Sequence, residues 1–292
     1  MRVLVTGATG QLGFEVAGVF RRAGHNVITP DRRELDLLHP DHAATVVRNL
    51  QADWVINCAA YTQVDKAESE AETAFIVNRD TLKRLAQAVA DYGGCLLQVS
   101  TDFIFDGKQH RPYLETDQPN PLSVYGRSKL EGEQAVLQVL PEAVVLRTAW
   151  VYGVRGHNFV KTMLRLAMAG KPLRVVDDQI GTPSWARDIA AAITSLVAGE
   201  VGGVFHFTNA GETSWHGFAC AILEEAAQAG FDIKTEAVSP IPTSSYPTPA
   251  VRPAYSVLST EKIRPLLDAP IANWRASLKN MLQELYTCAD CW

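Results

Sequence analysis

Cysteine is scarce in this 292-residue chain: there are five, at positions 58, 95, 220, 288 and 291. So odd and sparse a set fits no disulfide framework and points to a reducing cytoplasm. Cys58 and Cys95 lie inside apolar runs, where a free thiol behaves as a small hydrophobe. Cys288 and Cys291 are spaced C-x-x-C, but no second ligand pair and no βαβ setting accompanies them. They read as a solvated tail rather than a metal or redox centre. Long hydrophobic runs are also missing. No stretch approaches the ~20 apolar residues of a membrane span, and the opening Met1–Thr6 runs into glycines without the apolar core of a signal peptide. Nor is there an excess of basic charge. Lys and Arg number 27 against 32 Asp and Glu, a net charge of −5, which leaves no electrostatic footprint for nucleic acid or anionic lipid. A cytoplasmic globular protein remains, 47% apolar and long enough for about two domains of ~150 residues.

The first half alternates short apolar runs with helical patterns. Strands are expected at Arg2–Thr6, Asn26–Thr29, Asp53–Asn57, Cys95–Ser100 and Ala143–Thr148, each near-continuously apolar as in strands buried on both faces. Helical spacing marks 12–23, 43–50, 71–92 and 128–139. Such alternation predicts an α/β fold with a doubly wound parallel sheet of the Rossmann type. Past residue 150 the pattern loosens: helices are expected at 188–197, 215–228 and 271–285, and strands at 173–176 and 203–208. Five prolines between Pro240 and Pro253 predict a rigid irregular loop. The division expected is a dinucleotide-binding domain over 1–150, with segments near 173–200 returning to it. A smaller, mostly α substrate-binding domain over 151–292 interleaves with it.

The first strand ends in Gly7-Ala8-Thr9-Gly10-Gln11-Leu12-Gly13, after which a helix opens. Glycines there permit a tight turn and close backbone approach, and a helix N-terminus receives a pyrophosphate. Asp31 ends the second strand, where an acid bonds the adenosine ribose, yet Arg32 and Arg33 follow, and an Arg can accept a 2′-phosphate. NADH and NADPH both stay open. Asp36, Leu37, Ala60 and Tyr61 sit at strand ends along the adenine and ribose path.

Tyr125 and Lys129 are four apart on an expected helix and so share a face. An ammonium near a phenol favours the phenolate, lowering its pKa from ~10 toward neutrality. Such a Tyr protonates a carbonyl oxygen while hydride arrives at the carbon. Thr101, at the C-terminal end of a parallel strand where open α/β sheets present ligands, can donate to the same oxygen. Arg252 in the proline loop and Asn158 at a helix start are candidates for a substrate diphosphate. His216, early in a helix, is read as structural.

At these residues the chain resembles the extended short-chain dehydrogenase/reductase superfamily and, within it, the dTDP-4-dehydrorhamnose reductase family. The marks are the glycine turn, Asn57 to Glu68, Thr101-Asp102-Phe103-Ile104-Phe105-Asp106-Gly107, Tyr125 to Glu133, Arg147 to Tyr152, Asp178 to Pro183 and the late Pro242 to Pro253 loop. The resemblance implies that Tyr125 is the proton donor and that Lys129 binds the nicotinamide ribose. It implies that Thr101 and Asp102 touch the sugar and that Trp150 packs on the deoxysugar ring. Gly10, Gln11, Leu12, Asp31, Asp36, Leu37, Ala60, Tyr61, Thr62 and Val99 fall where the cofactor lies. The implied reaction is reduction of a nucleotide-sugar C4 ketone by NADPH or NADH. Some members are implied to be Mg²⁺-dependent dimers with interfacial carboxylates. Glu15 is the one candidate ligand, and since a hard cation needs several oxygens it is read as an exposed helix residue, with no metal assigned. Monomer and homodimer both remain open. The rivals are a nucleotide-sugar epimerase on the same fold and a regulatory subunit resembling the methionine adenosyltransferase β subunit.

Overall fold

Runs such as Trp54–Asn57 and Val144–Thr148, buried at every residue, are satisfied only in a sheet covered on both faces. The computed structural model, which describes residues 1–288, builds that sheet. It begins β1 (Arg2–Thr6), α1 (Gln11–Arg22), β2 (Asn26–Ile28), α2 (Pro40–Leu50) and β3 (Trp54–Asn57). Short α3 (Val64–Ala67) and α4 (Ala71–Phe75), a π-helical turn Ile76–Asp80, α5 (Thr81–Tyr92) and β4 (Cys95–Thr101) follow. Then come α6 (Val124–Val139), β5 (Val144–Thr148), β6 (Val151–Tyr152), α7 (Phe159–Met168), β7 (Leu173–Val176), β8 (Ile180–Gly181) and β9 (Ser184–Trp185). The chain closes with α8 (Ala186–Ala198), β10 (Gly203–His206), β11 (Thr213–Ser214), α9 (Trp215–Ala229), β12 (Val238–Ile241) and α10 (Trp274–Thr287).

Six strands run in the order β2-β1-β3-β4-β5-β10, all parallel. Side chains alternate by face. Val3 and Val5 of β1 join α1 and α8 in one core, while Leu4 joins α2, α5 and α6 in the other. The strand order reverses at β1, which opens a crevice at the carboxyl ends of β1 and β3. A third core of α7, α9 and α10 with β6, β7 and β9 holds Phe218, Leu164 and Met281.

Three expectations need correcting. The returning segment is 186–206, because α8 and β10 rejoin the large sheet, whereas residues 173–176 pair with β12 elsewhere. The proline loop opens as a strand: Pro240 pairs with Val175 in a two-stranded sheet, where a missing N–H is tolerated. The helix expected over 71–92 is interrupted by the π-helical turn at Ile76–Asp80.

Candidate active site

The glycine turn is shaped by close backbone packing. Gly7 has φ +66, and a Cβ there would lie 2.9 Å from the Ala59 nitrogen. A Cβ on Gly13 would come within 2.3 Å of the Gly7 carbonyl oxygen, and Gly10 N–H closes the turn on that same oxygen at 2.9 Å. No side chain caps α1, so the first-turn amides of Gln11, Leu12 and Gly13 have no partner within the helix and suit an anion. The Leu12 side chain is buried in the core, leaving its backbone for that task.

Beside the turn lies a cavity of about 460 Å³, which brings together Gly7, Asp31, Arg32, Asp36, Leu37, Ala60, Tyr61 and Thr62. Asp31 Oδ1 accepts from the N–H groups of Arg33 (2.7 Å) and Glu34 (3.0 Å) and so shapes its own loop. The exposed Arg32 guanidinium is 3.5 Å from Asp36. A glycine cradle that any Cβ would fill, uncapped amides and a carboxylate–arginine rim fit a dinucleotide.

Thr101 ends β4, and its Oγ1 accepts from Phe103 N–H at 3.2 Å and lies 3.1 Å from Asp102 Oδ1. Helix α6 is capped by Ser123, whose Oγ accepts from Gly126 N–H. It carries Tyr125 and Lys129 inward, exposed by only 8% and 4%. Burial dominates and pushes Tyr125 up to about 12, against a smaller opposing influence of the nearby Thr101 hydroxyl. The expected acidic phenol is therefore a correction. Lys129 spends its ammonium on the Val99 carbonyl at 2.7 Å, and burial brings it down to about 8. Burial also lifts Asp102 to about 6, against hydrogen bonds from Ser256 and Thr101. Asp102 Oδ2 and Thr148 Oγ1 are buried without a partner, polar atoms at neighbouring strand ends that suit ligand hydroxyls.

A second cavity, of about 250 Å³, is lined by Phe159, Met163, Arg174, Val175, Trp215, Tyr246 and Arg252 among others. Arg252 is held by a two-point pair with Asp65, at 3.0 and 2.8 Å, which keeps the Asp65 carboxyl below its ordinary range. Trp150 is different from expectation. It adopts a left-handed φ of 46 and stacks on Trp215 at 3.6 Å. A Cβ on Gly181 would sit 2.5–2.7 Å from three of its ring atoms. The Trp150 ring is thus packed against Trp215 and the Gly181 backbone, and Trp215 is the indole that lines the cavity. Asn158 is also corrected. Its oxygen caps α7 through Lys161 N–H, and its amide donates to Gln11 Oε1 (2.9 Å) and the Gly153 carbonyl (2.8 Å). Nothing on that side chain remains for a diphosphate.

Sequence reasoning missed Trp215, Asp65 and Asn78. Buried Asn78 sits in the π-helical turn. It accepts from Tyr61 N–H (2.9 Å) and donates to the Tyr61 carbonyl (3.1 Å) and the Ser128 hydroxyl (2.9 Å), tying the cavity wall to α6. Helical spacing over 71–92 carries no mark of that turn. Glu15 is not exposed but buried, and it faces Arg187. A carboxylate already neutralised by a guanidinium does not fit Mg²⁺, and among the described residues no three metal-ligating side chains converge. Cys291 lies outside the described residues.

Comparison with known proteins agrees with this geometry. The family model described as the RmlD substrate binding domain matches residues 1–287. A dTDP-4-dehydrorhamnose reductase of Burkholderia thailandensis is 42% identical, covering 98% of this chain and 99% of the relative. Among solved structures, a dTDP-4-dehydrorhamnose reductase of Clostridium acetobutylicum superposes with a TM-score of 0.91 at 39% identity, covering 98% of this chain and 99% of that one. That of Bacillus anthracis in complex with NADP also gives 0.91, at 34% identity over 97% and 99%. With a match to one family model over nearly its whole length and such relatives throughout, the chain belongs to the RmlD substrate binding domain family, that of the dTDP-4-dehydrorhamnose reductases.

Proposed function

We propose that this protein reduces the C4 ketone of dTDP-4-dehydro-β-L-rhamnose to dTDP-β-L-rhamnose, using NADPH or NADH. The observation that carries the reading is the buried Tyr125 phenol, carried by α6 beside Thr101 at the carboxyl edge of the sheet. The nicotinamide cofactor, when bound, supplies the hydride. Tyr125 supplies the proton. At about 12 the phenol stays protonated throughout neutral pH, and an alkoxide forming on C4 is the stronger base, so transfer runs from phenol to sugar. Thr101 orients the ketone oxygen, and Asp102 and Thr148 take sugar hydroxyls. Lys129, fixed by the Val99 carbonyl, holds the nicotinamide ribose.

Gly7, Gly10, Gln11, Leu12 and Gly13 hold the pyrophosphate by their backbone, and the cavity from Asp31 to Thr62 holds the adenosine. Arg32 takes a 2′-phosphate when one is present, which favours NADPH without excluding NADH. The Trp215 cavity takes the nucleotide end of the substrate, with Arg252 on its diphosphate. Among the described residues no helix is long and apolar enough to cross a membrane. A cytoplasmic setting, a small-molecule substrate and no nucleic-acid partner complete the reading. Cys58, Cys95 and Cys220 are free thiols.

The test is to supply the ketosugar nucleotide with each cofactor and follow nicotinamide absorbance. Stoichiometric oxidation with dTDP-rhamnose as product is expected. Isomerisation of the sugar without net cofactor consumption would make the protein an epimerase. Cofactor binding without turnover would make it a regulatory subunit.

A further inference from the structure

Where α1, α8 and α10 meet, two carboxylates converge across the boundary between the halves of the molecule. Glu15 comes from α1, which belongs to the core of the large sheet, and is only 4% exposed. Glu284 comes from α10, which belongs to the third core, and its Oε2 is buried without a partner. Buried Glu15 cannot stay ionised without a cation, and Glu284, its side chain 32% exposed, adds a second negative charge at the junction. A divalent ion is one solution, but it demands six or more oxygens, and the described residues offer no such cluster. Arg187 of α8 enters instead. Its Nε lies 3.3 Å from Glu15 Oε2 and its Nη2 2.6 Å from Glu284 Oε1, while the guanidinium carbon sits 4.8 Å over the Trp185 ring. One planar cation thereby reaches both acids through two N–H groups of its rigid fork, a fixed geometry that a single ammonium nitrogen does not offer.

We propose that Arg187 serves as a resident cation in place of a divalent metal, tying the helix behind the glycine turn to the substrate half. The junction is then indifferent to metal. This stands independently of the reaction assigned above.

Thermal unfolding of the full chain and of Arg187→Gln, in chelator and in millimolar Mg²⁺ or Mn²⁺, tests it. The wild type should melt at one temperature in all three. The variant should melt about 4–8 °C lower in all three, and the wild type should bind no Mn²⁺ by electron paramagnetic resonance. Should Arg187→Gln fail to fold, Arg187→Lys, which keeps the charge but loses the rigid fork, should show a smaller loss, again the same with and without Mn²⁺. A wild type destabilised by chelator and restored by Mg²⁺ overturns the proposal. So does a variant as stable as wild type in chelator.

Discussion

The larger cavity lies at the ends of parallel strands, where Gly7, Ala59 and Ala60 put little side chain between the backbone and the space beside Asp31, Leu37 and Tyr61. The smaller one is walled by side chains, with Phe159, Met163, Trp215 and Tyr246 delivered by separate elements. The contrast follows from what each would hold. A pyrophosphate is gripped by N–H groups that only bare backbone can bring close. A nucleoside and sugar are gripped by ring faces and a guanidinium. Tyr125 and Thr101 supply the chemistry that both serve, so changes in each region should separate in what they disturb.

The largest expected effect removes the chemistry and leaves both grips. Tyr125→Phe should lower kcat by ~10²–10⁴-fold with the NADPH dissociation constant unchanged, as checked by fluorescence titration. Next is the side-chain wall. Arg252→Ala should raise KM for the nucleotide sugar ~10–100-fold through loss of charge-assisted bonds and leave KM for NADPH alone. A matching rise in both constants would break the distinction between the cavities. Lys129 titrates next. With its pKa brought down to about 8, kcat/KM should fall above that pH by up to ~10-fold per unit as the ammonium is lost. On the backbone wall, Arg32→Ala should raise KM for NADPH ~5–10-fold and spare NADH, consistent with one exposed phosphate contact.

The smallest effect is on stability. Burial raises Asp102 from 3.8 to about 6, so the folded state binds this proton more tightly than the unfolded one. Its contribution is present below 3.8 and is lost as pH rises to about 6. Melting curves of wild type and Asp102→Asn across that window should diverge, with the wild type losing ground as pH rises.

The same physical contrast explains what could be read from the chain. The backbone wall is contiguous: Gly7 to Gly13 and the Ala59–Thr62 loop follow the strands that present them, so local pattern reveals them. Strands β1 and β7 fall at the expected residues, since their apolar runs are self-contained. The side-chain wall is not local. Trp150 and Trp215 stack only because β6 and α9 meet in the fold, and no spacing announces it. Asn158 looked like a diphosphate ligand because a helix-capping Asn and a ligand Asn have the same sequence signature. The acidity of Tyr125 went astray for a related reason. A four-residue spacing places Lys129 on the same face but does not reveal that its ammonium turns to Val99 or that the phenol is sealed from water.

The central claim is that the sugar ketone, seated between a hydride source on the backbone-walled side and the Tyr125 phenol, is reduced at C4. Running the reaction with NADPH deuterated at nicotinamide C4, as each of the two stereoisomers, tests that most directly. One stereoisomer should deliver a single deuterium to C4 of the rhamnose nucleotide, and the other should deliver none. Label at another carbon, or product formed with no label from either cofactor, would contradict the account.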